Sequence, residues 1–296
     1  MADIFKRGTS MDGGVRVFAA VTTDLVNEAQ KIHHTYPVAT AALGRTLTAG
    51  VLMAAAGLKN DTDSLTLQVK GDGPLGNIVV CADSELRVRG YVANPYVDRP
   101  LNEKGKLDVG GAVGRGVLNV IRDLGMKEPY IGQIPLVSGE IAEDVTMYYA
   151  QSEQIPTAVA LGVLVDTDNS VIASGGFMIQ MMPGSTDEEA QLIEKTLDNL
   201  PPVTSLIAEG KSAEDIIFDV VEGIDFFIEN SEGKPVYQCN CSKDRMEKAL
   251  ISIGKQELQG IIDEQGEAEL CSQFCHNKYK FSKEELTELL KKATKK

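Results

Sequence analysis

Gln238-Cys-Asn-Cys-Ser242 and, about 30 residues further on, Leu270-Cys-Ser-Gln-Phe-Cys275 hold four of the chain's five cysteines. Two close pairs of thiolates at this separation, Cys239/Cys241 and Cys271/Cys275, suit a tetrahedral zinc ion, which takes four S or N ligands. Oxidants attack the same thiolates, so one site can serve both as a clamp and as a redox sensor. A purely structural zinc knuckle, stapling a segment too small to fold alone, fits the spacing equally well. A catalytic zinc fits it less well, because four thiolates leave no open position for water. Between the pairs, Ser242 to Gln265 reads as helix, with Met246, Leu250, Ile253, Leu258, Ile261 and Ile262 on its apolar side and a bend at Gly254. A final helix is expected from Ser282, a cap with Glu285 at the capping-box position, to Lys291.

Composition frames this cluster. With 296 residues, 43% of them hydrophobic, the chain can bury a sizeable core and is expected to form more than one domain. The start, MADIFKRG, does not resemble a signal peptide, and no run approaches 18 uninterrupted apolar residues. The expected location is therefore the cytoplasm, without a membrane. Thiols stay reduced there, and clustered cysteines hold metal more readily than disulfides. A net charge of −14 argues against nucleic acid as a partner, because phosphate backbones are bound by basic faces.

The charge is concentrated. Between Gly184 and Pro235 stand 13 acidic residues against Lys195, Lys211 and Lys234, so this stretch carries about −10. It is not apolar-poor. Thr186-Asp-Glu-Glu189 reads as a helix start leading to Ile193, Leu197 and Leu200, with a stop at Pro201-Pro202. Ser212 with Asp215 starts a second helix carrying Ile216, Ile217, Val220 and Val221. Short, self-repelling amphipathic helices need a surface to lean on, and 184–235 is expected to be a metastable helical linker.

Residues 1–183 read as a mixed α+β domain. A helical stretch runs from Asp24, as its cap, to Leu58, broken near Tyr36-Pro37. Strands are expected at Leu65–Val69, Ile78–Ala82, Leu86–Val92, Val145–Ala150, Ala158–Val165 and Val171–Met182. Gly71-Asp-Gly-Pro-Leu-Gly76 matches GxGxxG, but a strand rather than a helix follows it, so it reads as a hairpin loop. His33 and His34 would point about 100° apart on a helix and cannot share a metal. Met178, Met181 and Met182 read as core, and Cys81 as a small buried hydrophobe. No catalytic constellation can be assigned, and the chain is not read as an enzyme.

Over nearly its full length the chain resembles the heat-shock protein 33 family of redox-regulated bacterial cytosolic chaperones. The resemblance rests on Thr22-Thr-Asp24 with Glu28-Ala29, Ala41-Ala-Leu-Gly-Arg-Thr46, Gly71–Gly76 and Asn94-Pro95. It continues through Gly175-Gly-Phe177, Cys239-Asn-Cys-Ser242 and Phe274-Cys275 with Tyr279 and Phe281. It implies an N-terminal client-binding domain (1–183), the acidic linker (184–235) and a zinc-binding redox-switch domain (236–296). It also implies an ATP-independent holdase that is inactive while reduced and zinc-bound. Cys239, Cys241, Cys271 and Cys275 would ligate one Zn²⁺ per chain. Under oxidative stress, disulfides Cys239–Cys241 and Cys271–Cys275 would form, the metal would be lost, and the zinc domain and linker would unfold. Unfolded client proteins would then bind, with a homodimer as the active form.

One departure stands out. The family's second pair is CxxC, whereas here Ser272 stands where the first of these cysteines would be and Cys271 comes one residue early. A shifted knuckle can still chelate through Cys271, and His276 is a possible substitute ligand. If the segment were helical, residues four apart would have Cβ atoms about 5–6 Å apart, too far for a disulfide without local unwinding. Two other readings remain open: a zinc-stapled interaction module that acts without oxidation, and a thiol oxidoreductase with one exposed, acidic thiol.

Overall fold

The computed structural model describes residues 2–230 and 233–293. Ser231 and Glu232, within the expected linker, lie outside the described residues, as do the chain ends. The chain divides into two compact units, Met1–Gln238 and Cys239–Lys296.

In the first unit β1 (Ile4–Ser10) and β2 (Val15–Val21) precede α1 (Thr23–His33) and α2 (Pro37–Gly57). Then come β3 (Ser64–Gly71), β4 (Asn77–Asp83), β5 (Arg87–Val92), α3 (Val109–Val113), β6 (Gly116–Asp123) and β7 (Tyr130–Pro135). After α4 (Ala142–Tyr148) and a π-helical turn (Tyr149–Glu153) follow β8 (Thr157–Val165) and β9 (Val171–Met181). The acidic stretch forms α5 (Asp187–Asn199), α6 (Val203–Ala208), α7 (Ala213–Val220) and β10 (Phe226–Ile228), and β11 (Val236–Tyr237) closes the unit. One sheet has the order β10-β1-β2-β9-β8 and the other β11-β5-β4-β3-β6-β7.

The α+β class and the break at Tyr36-Pro37 are as the sequence indicates: Pro37 opens α2, where a missing N–H costs nothing. By length and composition α2 could cross a membrane, yet 89% of its most apolar window is buried within this unit. It is the central core helix, with Leu43, Leu47 and Leu52 at its heart. Gly71–Gly76 forms the loop between β3 and β4, as expected from the strand that follows it.

Three local expectations are corrected. Val145–Ala150 is not a strand. Asp144, 1% exposed, accepts the N–H groups of Val137, Ser138 and Ile141, which fixes a helix start. The helical turn then buries Val145, Tyr148 and Tyr149 together, at helical spacing. Cys81 is half-buried on the outward face of β4, its Sγ 3.5 Å from Thr66 Oγ1, while Val80 and Ala82 point inward. Met178 is core, but Met181 and Met182 are only half-buried.

Asp24 is not the cap of α1 either. It lies in the first turn, and Thr22 at the cap position makes no capping bond, its hydroxyl being 2.7 Å from Thr48 Oγ1 and 3.0 Å from Ser174 Oγ instead. Asp3, remote in sequence, accepts from the N–H groups of Asp24 (2.8 Å) and Leu25 (2.7 Å). Burial pushes its carboxyl up to about 6, outweighing those two bonds. A carboxyl whose folded pKa lies above its unfolded value adds stability that is complete below about pH 4 and lost as pH rises through about 6. The unfolding midpoint in urea should therefore rise for this residue between about pH 6 and 4, and Asp3→Asn should flatten that segment of the profile. An identical profile in the variant would remove Asp3 as its source.

The acidic helices have their surface. Ile193, Val203, Leu206, Ile207, Ile216, Ile217 and Val220 form one buried cluster with Val15, Val17, Ala19, Val21, Phe177 and Ile179 of the first sheet. Thr186/Glu189 and Ser212/Asp215 form reciprocal capping boxes at the two helix starts the sequence marks. Beyond β10, the OH of Tyr237 in β11 donates to Gly90 O at 2.8 Å and lies 2.9 Å from His33 Nε2. His33 is thus a packing residue, and His34 ends α1 in the left-handed conformation.

The second unit contains α8 (Lys243–Ser252), α9 (Lys255–Glu264), the hairpin β12 (Ala268–Cys271) and β13 (Lys278–Phe281), and α10 (Lys283–Ala293). Gly254, at φ 96°, separates α8 from α9, the bend the sequence marks. The buried core is small: Leu250, Leu258, Ile262, Ala268, Phe281, Leu286 and Leu289.

Candidate metal centre

Among the described residues, the thiols of Cys239, Cys241 and Cys275 lie within 4.8 Å of one another, the one group of histidine, cysteine or acidic ligand atoms close enough to hold a metal ion. Cys239 and Cys241 lie in irregular chain before α8, and Ser242, itself extended, caps that helix by accepting from the Arg245 N–H at 3.3 Å. Cys275 lies in the turn of the β12–β13 hairpin. That turn is held at Ser272, whose N–H donates to Asn277 O (3.0 Å) and whose carbonyl accepts the His276 N–H (2.9 Å). The Ser272 hydroxyl accepts the Phe274 N–H at 3.3 Å and lies 3.6 Å from Cys239 Sγ.

The group fits a tetrahedral metal. Three sulfurs at about 2.3 Å from one ion would lie roughly 3.8 Å apart. Cys241 and Cys275 are 3.2 Å apart and no separation in the group exceeds 4.8 Å, so small side-chain movements suffice. A thiolate-rich donor set is also the chemistry that favours a soft or borderline ion.

Cys239 and Cys241 differ. Burial pushes Cys239 up to about 11. Burial acts on Cys241 in the same direction, but hydrogen bonds to its sulfur from Tyr279 and from the neighbouring thiols overcome it and bring Cys241 down to about 7. The Tyr279 hydroxyl donates to Cys241 Sγ at 3.2 Å and is itself held up at about 12 by that bond. Of these two, Cys241 is the readier to exist as thiolate.

Cys271, expected as the fourth ligand, is exposed and outside the group. The reason is strand alternation. Along Ala268–Ser272 the even positions face inward and Glu269 and Cys271 face out. Cys271 pairs with Lys278 and Glu269 with Lys280, and Glu269 forms an ion pair with Lys278 at 2.9 Å, so Cys271 stands on the hairpin's charged face. A shift of one residue along a strand moves a side chain to the opposite face. Ser272 therefore holds the inward position, 4% exposed. The segment is strand and turn, so the helical Cβ spacing expected between Cys271 and Cys275 does not apply. His276, also outside the group, is exposed, with φ 55°. Tyr279 had signalled only a family pattern; its bond to Cys241 follows from pairing opposite Leu270 on the face that Ser272 shares.

Comparison with known proteins places these features in a wider set. The family model described as "Hsp33 protein" matches residues 3–282. The 33 kDa chaperonin of Clostridium beijerinckii is 52% identical over 291 residues, covering 98% of this chain and 99% of its own. That of Acetivibrio thermocellus is 50% identical over 291 residues, covering 98% of each. The crystal structure of the 33 kDa chaperonin (heat shock protein 33 homolog) of Thermotoga maritima superposes with a TM-score of 0.89 at 40% identity, covering 100% of both chains.

Proposed function

The chain belongs to the Hsp33 family of chaperones, which are not enzymes, and on that premise we propose that it is a redox-switched, ATP-independent holdase of the cytoplasm. The observation that carries the switch is the gathering of Cys239, Cys241 and Cys275 in a unit whose own apolar core is small. Zinc, when bound, neutralises the charge of the gathered thiolates and adds folding free energy to that unit.

Oxidation acts on these sulfurs and on the exposed Cys271. A thiolate attacks the O–O bond of a peroxide, becoming a sulfenic acid and releasing hydroxide (or, from an organic peroxide, alkoxide). A second thiolate then displaces hydroxide from that sulfur and closes a disulfide. The expected pairs are Cys239–Cys241 and Cys271–Cys275, at a cost of one peroxide each. Ligands locked in disulfides no longer hold the unit folded.

Chain connectivity supports a relay into the first unit. Cys239 directly follows Gln238, whose N–H donates to Val88 O at 2.9 Å, and β11 (Val236–Tyr237) pairs with β5 through only two residues. Upstream lie β10 and the acidic helices. Carrying close to −10 over residues 184–235, these helices stay on the sheet through apolar contacts that must exceed their mutual repulsion. Their release would bare Val15, Val17, Phe177 and Ile179, a continuous apolar face suited to unfolded clients. Two oxidised chains meeting through such faces would form a homodimer.

The test is suppression of thermal aggregation of a client protein by the zinc-loaded reduced chain and by the peroxide-and-heat-treated chain, with zinc release followed in parallel. Activity arising only with zinc release is expected. Equal activity in both states would make the metal structural and the chaperone constitutive.

A further inference from the structure

We propose that the metal is held by three thiolates only, from Cys239, Cys241 and Cys275, that the Ser272 hydroxyl takes the fourth corner, and that Cys271 remains a free surface thiol in the metal-loaded protein. The proposal rests on the metal-binding part of the preceding reading and alters its ligand set.

Four observations converge on it. The three thiols form a closed group without Cys271. Ser272 is buried at the edge of that group, its Oγ 3.6 Å from Cys239 Sγ. The strand register places Cys271 on the opposite face, beside Lys278 and near the Glu269–Lys278 ion pair. Ser272 is also fixed by three hydrogen bonds through its N–H, carbonyl and hydroxyl, so exchanging Cys271 into its place would dismantle the turn that positions Cys275. Turning Cys271 inward would require a one-residue slip of β12 against β13. That slip would carry Leu270 to the outward face and expose it.

A neutral hydroxyl is a weaker ligand than a thiolate, so the fourth corner is the exchangeable one. The site would therefore bind metal less tightly than a four-thiolate knuckle and admit a small exogenous donor such as imidazole. Cys271 would be outside the metal's protection and open to reagents in the resting state.

Cobalt(II) substitution of the reduced, full-length chain reads the ligand set directly, since the thiolate-to-cobalt charge-transfer intensity grows with each sulfur bound. Cys271→Ser should leave that intensity unchanged and shift the cobalt dissociation constant by less than about threefold, whereas Cys275→Ser should weaken it by about 100-fold or more. Ser272→Cys should raise the intensity by one thiolate and tighten binding by about tenfold or more. In the unmodified, zinc-loaded protein, alkylation followed by peptide mass spectrometry should mark Cys271 rapidly and spare Cys239, Cys241 and Cys275. This second readout needs no variant. Protection of Cys271 by zinc, or a loss of cobalt intensity in Cys271→Ser, would overturn the three-thiolate set while leaving the metal-dependent switch standing. Failure of the unmodified chain to bind cobalt or zinc would overturn both.

Discussion

Removing the metal from the reduced protein with a chelator is expected to unfold the segment from Cys239 onward while residues 2–230 stay folded. Among the described residues the second unit buries seven in its core, Ala268 among them, and its α8 and α9 are each a mere three turns long. Helices of that length are marginal in isolation. Units of this size usually need a staple, and a structural zinc site contributes roughly 10–16 kcal/mol of apparent folding free energy, more than such a core supplies. The staple is also well placed. It ties the irregular residues before α8 to the hairpin turn, closing a loop that holds both helices. Hydrogen exchange should show protection lost across α8, α9, β12, β13 and α10 on chelation, while α2 and the two large sheets remain protected. Protection retained in the second unit would mean that its apolar core suffices and that ligand oxidation cannot drive unfolding.

Replacing Ile216 with aspartate is expected to switch the chaperone on without an oxidant. Ile216 is 0% exposed, within the cluster that joins α5, α6 and α7 to the first sheet. A carboxylate there loses the packing of a large aliphatic side chain, worth about 2–5 kcal/mol, and adds the penalty of an unpaired buried charge. It also adds negative charge to helices already crowded with it. The helices should leave the sheet, exposing the apolar face, and aggregation suppression should appear in the reduced, zinc-loaded protein. Ile216→Val, which costs about 0.5–1.5 kcal/mol, should stay off until oxidised. If Ile216→Asp frees the helices by hydrogen exchange yet holds no client, this sheet face is not the client surface.

Much of the fold could be read locally. Pro37, the Thr186 and Ser212 capping boxes, the Ser282/Glu285 pair and Gly254 act within a few residues of themselves, and each marks an element end found in the structure. The expected strand at Val145–Ala150 fails for the complementary reason. An apolar run of six fits either a strand or a helix, and the deciding contact is Asp144 with backbone groups of the preceding loop. The Asp3 cap on α1 spans about 20 residues and leaves no local trace.

The cysteines show the same division. Spacing alone pointed to a cluster of the four thiols of Cys239, Cys241, Cys271 and Cys275, and the structure brings three of them, Cys239, Cys241 and Cys275, close enough to hold a metal ion. Which side chain completes the set was decided by the pairing of β12 with β13. A strand presents alternate residues to opposite faces, and the register that packs Leu270 against the core and pairs it with Tyr279 carries Ser272 inward and Cys271 outward. Likewise, charge and periodicity determined that 184–235 forms acidic amphipathic helices. Only the tertiary structure showed what they cover, because the apolar face of β2 and β9 that receives them is assembled from segments about 150 residues apart.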